Sequence, residues 1–101
     1  MSDGASQVYR HVFAGARRDA PCFDGHFPGA PITPGAVLIA HAARALREAG
    51  SPLSRIMRVK FMRPLPPETP FEIEIERRGD MAKLRWISGG ELLAQARVAL
   101  G

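Results

Sequence analysis

Residues 71–76 read Phe-Glu-Ile-Glu-Ile-Glu, apolar and acidic side chains in strict alternation. A period of two places every second side chain on one face of an extended strand, so this segment demands a sheet with one apolar face and one charged face. Strand-like composition also marks residues 54–63, 81–88 and 91–100. "RGDM" and "SGGE" separate the last three of these segments, and the paired glycines of the second suit a tight hairpin. "PLPPETP" reads as a rigid connection before Phe71.

One segment is fit to cover the apolar face. After Pro34 the chain runs GAVLIAHAARALREAG, rich in good helix formers and ending at Gly50, a natural stop. Thr33 is placed to cap this helix, with Pro34 in its first position. Leu38, Ile39, Ala42, Ala45, Leu46 and Ala49 share one broad face, and its alanines permit close approach to a sheet. Val8 to Ala14 alternate imperfectly and read as a short first strand with both faces partly buried.

The order is therefore strand, proline-rich loop, long helix, then four strands in meander. This is an α+β arrangement, one helix packed on an antiparallel sheet. Residues 8–101 read as one domain behind a loose lead-in, residues 1–7. At 101 residues a solitary core is only marginally sufficient, a shortage that dimerisation relieves.

Charge and cysteine content narrow the function classes. The net charge of +4 favours an acidic protein or a phosphate-bearing ligand as partner. The arginines are dispersed rather than gathered in an aromatic-interleaved strip, so nucleic acid is not the expected partner. Cys22 is the one cysteine, so the chain can form no internal disulfide and no thiolate cage. His11, His26 and His41 lack the spacing of a three-histidine metal site, and no metal or other cofactor is expected. No secretory signal or membrane span is evident, which fits a cytoplasmic protein.

The chemistry points to residues 21–35, where four prolines and several glycines forbid regular structure while Phe and Ile keep the segment too apolar for a solvated linker. His26 sits within it, and the stiff backbone around it would hold an imidazole that titrates near neutrality. Two roles fit: a general base, or a structural residue hydrogen-bonded to loop carbonyls. Gly35 adds a backbone N–H in the first helical turn, where the helix dipole favours developing negative charge such as that on a thioester oxygen. His11 and His41 read as structural or surface residues, His41 sharing a helix face with Arg44 and Glu48.

"GHFPGAPITPG" followed by an alanine-rich helix resembles the hotdog-fold 3-hydroxyacyl-[acyl-carrier-protein] dehydratases, and "VKFMRPLPPETPFEIEIE" resembles their post-helical strand, Arg-Pro turn and strand. The likeness runs from about Tyr9 to Leu100. It implies an antiparallel sheet wrapped round one central helix, sheets of two chains joined edge to edge, and active sites at the dimer interface. It also implies His26 as the catalytic histidine, with a strained, cis bond to Phe27, and Gly35 as the glycine whose amide polarises the thioester carbonyl. Phe27, Pro28, Gly29, Val37, Ala40 and Phe61 would lie along the substrate. The implied partner is an acyl carrier protein bearing a phosphopantetheine-linked substrate, in fatty-acid-like or polyene synthesis.

One element of that pattern is missing. The relatives place Glu or Asp fourteen positions after the histidine, where this chain has Ala40, and no acid occurs between Asp24 and Glu48. Three arrangements answer this: a different hotdog subunit supplies the acid in a heterodimer; His26 works alone or with His41 in a homodimer; or the chain is a non-catalytic or acyl-binding subunit. A hotdog thioesterase is a further alternative, although it too commonly depends on a helix carboxylate.

Overall fold

The computed structural model describes residues 7–21 and 32–101. The elements are β1 (Gln7–Phe13), α1 (Gly35–Glu48), β2 (Leu53–Phe61), β3 (Phe71–Arg78), β4 (Met81–Ser88) and β5 (Glu91–Leu100). The five strands form one antiparallel sheet in the order β1-β3-β4-β5-β2.

The alternation of β3 does what its pattern requires. Phe71, Ile73 and Ile75 are buried, and register places Ile73 opposite Trp86 and Ile75 opposite Leu84. Leu84 in turn faces Ala96, and Trp86 faces Ala94, so a continuous apolar surface crosses three strands. Leu38, Ala42, Ala45 and Leu46 of α1 close over it. The indole N–H of Trp86 donates to the carbonyl oxygen of Leu38 at 3.0 Å, satisfying a polar group that burial would otherwise penalise. Gly89 and Gly90, at φ +58° and +80°, form the left-handed pair that a two-residue hairpin needs between β4 and β5.

The strands after the helix do not form a simple meander. Only β3, β4 and β5 do; β2 pairs with β5 at the far edge, Val59 opposite Ala96 and Phe61 opposite Ala94. The cause lies in the connection between β2 and β3. Prolines at 64, 66, 67 and 70 cannot make a tight hairpin, so the chain crosses the end of the sheet before β3 begins. Met62 and Arg63 donate their N–H groups to Leu93 O at 2.8 and 3.1 Å, and Leu65 is buried beneath the crossing.

Helix α1 also starts differently from expectation. Pro34, at φ −60° and ψ 144°, is the N-cap, and Gly35 is the first helical residue. Thr33 does not cap: its N–H is committed to Leu65 O at 2.7 Å, and its buried hydroxyl has no hydrogen-bond partner among the described residues. The other end follows the sequence reading. Gly50 is left-handed at φ +81°, with Gly50 N–H on Arg47 O at 3.0 Å and Ser51 N–H on Leu46 O at 2.9 Å, the paired bonds of a Schellman closure. Ala49 falls at the C-cap and is exposed rather than part of the buried face.

Candidate active site at the start of the helix

Two first-turn amides, those of Val37 and Leu38, donate to Pro34 O at 3.0 and 3.3 Å. The N–H groups of Gly35 and Ala36 have no backbone acceptor among the described residues. Helix geometry leaves such donors pointing outward along the axis, and the first turn holds no acidic side chain to occupy them. An oxygen that gains negative charge during reaction would find both a donor and a favourable dipole there.

Phe61, at the end of β2, lies over this position. A Cβ on residue 35 would stand 2.6 Å from Phe61 Cζ and 3.0 Å from both Cε atoms, so the ring rests where any side chain would begin. Only glycine permits that approach without displacing the ring. Phe61 is nonetheless 49% exposed, so one face of this apolar cover remains open. Val37 is half-buried on the same turn of helix. Sequence reading singled out Phe61 and Gly35 separately; their contact arises because β2 runs to the far edge of the sheet, which strand patterning does not reveal.

Ala40 is exposed. A carboxyl at that position would therefore project off the body of its own chain. His41, the next residue, turns the other way: its ring lies 4.8 Å from that of Phe13 and 5.7 Å from that of Phe71, centroid to centroid. It lines a recess of about 260 Å³ with His11, Phe13, Arg44 and Glu48. Burial, and secondarily the Arg44 charge, push its pKa below the ordinary histidine value. A group so disposed is mostly neutral near pH 7 and sits by the β1 edge, whereas Gly35 and Phe61 sit by the β2 edge. The structure does not bring His41 to the helix start.

His26, Phe27, Pro28 and Gly29, with the bond between His26 and Phe27, lie outside the described residues. Thr33 N–H and Leu65 O tie down the backbone immediately before the helix. Among the described residues no cluster of three or more His, Cys, Asp or Glu side chains has the arrangement of a metal site. No helix among them is long and apolar enough to cross a membrane.

A family model for ApeI-like proteins, described as ApeI dehydratase, matches residues 9–95. The chain belongs to the ApeI-like dehydratase family. The dehydratase heterocomplex ApeI:P from Xenorhabdus doucetiae contains a similar chain, 25% identical with a TM-score of 0.70, covering 94% of this chain and 86% of that one. An uncharacterized protein from Erwinia carotovora subsp. atroseptica is 18% identical with a TM-score of 0.73, covering 95% and 84% of the two chains. A fluoroacetyl-CoA-specific thioesterase is 13% identical with a TM-score of 0.61, covering 95% and 93%. These last two likenesses carry the hotdog fold and nothing finer. No curated protein shows a significant match to the sequence. The protein is thus a dehydratase-like member of the hotdog fold, with the single helix and five-stranded antiparallel sheet described above.

Proposed function

We propose that this chain is the histidine-bearing half of a 3-hydroxyacyl thioester dehydratase whose proton donor stands on a different hotdog subunit. His26 takes the C2 proton, and the Gly35 amide steadies the negative charge that builds on the thioester oxygen. The partner's carboxyl protonates the hydroxyl leaving C3, a C2–C3 double bond forms, and water departs. The substrate arrives on the phosphopantetheine arm of an acyl carrier protein in fatty-acid-like or polyene assembly, its acyl chain running past Phe27, Pro28, Gly29, Val37 and Phe61.

The observation that carries this reading is the exposed Ala40, a residue with no ionisable group on a surface turned away from its own core. General acid catalysis contributes about 10² to 10⁴ in rate, so a site without a donor would be severely weakened. Support for a second subunit comes from β2, an edge strand whose Ile56, Met57 and Phe61 are exposed. The similar Xenorhabdus protein is itself described as part of a dehydratase heterocomplex.

The test is reconstitution. The pure chain, each candidate hotdog partner alone, and their mixtures are assayed for water elimination from a carrier-bound 3-hydroxyacyl thioester. Turnover confined to a mixture, and lost with His26→Ala while the complex still assembles, is the expected result. Turnover in no mixture would favour a non-catalytic, acyl-binding subunit; release of free thiol would favour a thioesterase.

A further inference from the structure

The face of the sheet opposite α1 carries its charges in cross-strand rows. Register places Glu76, Lys83, Arg97 and Arg58 side by side across β3, β4, β5 and β2, and Glu74, Arg85, Gln95 and Lys60 in the adjacent row. On the β3 side these charges are matched. Glu74 receives Arg10 at 2.8 Å and Arg85 at 3.0 Å, and Glu76 lies 3.7 Å from Arg85.

Toward β2 the matching stops. Arg58, Lys60, Lys83 and Arg97 are all exposed, and none forms an ion pair with a carboxylate among the described residues. Arg97 faces Arg58 on one side and Lys83 on the other, and like charges directly opposed on neighbouring strands destabilise a sheet. With Met57 and Gln95 these side chains line an open groove of about 480 Å³. Repulsion of this kind is relieved when anionic groups settle between the cations.

We infer that this groove docks the acidic face of a protein helix lying across β4, β5 and β2. Neighbouring strands stand about 4.8 Å apart, which sets the step from Lys83 to Arg97 to Arg58. Carboxylates at i, i+4 and i+7 on a helix step by about 6 and 4.5 Å along its axis, intervals that bracket the strand spacing. Met57 and the alkyl stems of the basic residues supply an apolar floor. Single-stranded nucleic acid binds by stacking bases on aromatic side chains, and none lines this groove. A helix seated here leaves the Gly35 end of α1 uncovered, because α1 is on the opposite face. The inference stands apart from the catalytic reading, since its test measures binding alone.

The probe is a capped, fluorescent, alanine-based helical peptide with glutamates at i, i+4 and i+7, titrated with the full chain at low and at physiological ionic strength. Binding should weaken with salt, as exposed charges are screened over about 8–10 Å. Arg97→Glu should cut affinity about tenfold or more, because it both removes an attraction and adds a repulsion. The same substitution sets a carboxylate between Arg58 and Lys83, so its melting temperature should not fall; Arg97→Gln provides a neutral second variant. Arg47→Glu, on the exposed side of α1, should bind as the native chain does. Equal binding by Arg97→Glu and the native chain, equal binding of a peptide with its glutamates spread round the helix, or tighter binding of a single-stranded oligonucleotide would each overturn the assignment.

Discussion

Trp86 and Leu38 are joined by a hydrogen bond that runs from sheet to helix: the indole N–H of a fully buried tryptophan donates to a main-chain carbonyl at 3.0 Å. This bond and the surrounding apolar contacts fix how α1 sits on β4. Trp86→Phe keeps an aromatic ring but deletes the donor and some volume, so it should cost about 2 kcal/mol, combining a net hydrogen bond with a small cavity. Urea unfolding at neutral pH measures it; an unchanged midpoint would show that the helix is held without this tie.

Gly35 offers a way to separate the amide from the space around it. Gly35→Ala keeps the N–H but drives a methyl into the Phe61 ring. Gly35→Pro sets a Cβ at the same point, adds the rest of a pyrrolidine ring and removes the donor, at a first helical position where proline is tolerated and after an extended residue 34. The proline variant should lose a further factor of about 10² to 10³ in turnover by the reconstituted enzyme beyond the alanine variant. Equal turnover by the two variants would remove the amide from the mechanism.

Ala40→Glu restores the absent carboxyl at an exposed site, where substitutions usually change stability by no more than about 0.5 kcal/mol. The expected outcome is dehydration by the chain alone, two copies completing each other's sites with no different hotdog subunit present. Thermal unfolding checks that the fold is unchanged, and product analysis checks that water, rather than thiol, is released.

His41 should make stability depend on pH in a direction that can be stated. Its folded pKa lies below the unfolded value of about 6.5, because burial and Arg44 disfavour the charged ring. The unfolded chain therefore binds more protons in the window beneath 6.5. Its contribution is fully present above that value and is lost as pH falls toward the folded pKa. His41→Phe should flatten the curve in this window, and proton NMR of the imidazole should titrate lower than a free histidine.

Glu74 acts at lower pH. The Arg10 hydrogen bond, followed by that of Arg85, holds its carboxyl below the ordinary glutamate value. Such a group stabilises the fold above its unfolded pKa and stops doing so as pH falls through the folded one. Glu74→Gln should cost up to about 1 kcal/mol at pH 7, and the difference should shrink once both chains are studied in acid. A difference that persists there would mean that shape, not charge, matters at this position.

Much of this architecture was legible locally. Alternation over residues 71–76 located β3, "RGDM" and "SGGE" located the turns that follow β3 and β4, and Gly50 marked the helix end because a left-handed residue there is nearly self-announcing. What strand patterning could not convey was pairing. Nothing in Leu53–Phe61 records that its neighbour is β5, since that choice depends on a proline-stiffened crossing and on contacts far apart in sequence. The Thr33 cap failed for a similar reason: the distant Leu65 carbonyl claims its backbone. At the candidate site, Gly35 and Phe61 were each visible as residue types, while the ring-on-glycine contact required the sheet order. His26 and its flanking residues, on which the motif rests, lie outside the described segments.

The β2 ladder shifts register twice, between Leu53 and Arg55 and again between Ile56 and Arg58. Bulges spoil the even cadence of amides and carbonyls along an open margin. Any chain that extended this sheet would find regular purchase only along the short stretch from Arg58 to Phe61 and would have to mirror or avoid the irregularities elsewhere. A margin of that shape discriminates among would-be neighbours, and the discrimination is written in backbone geometry before a single side chain is consulted.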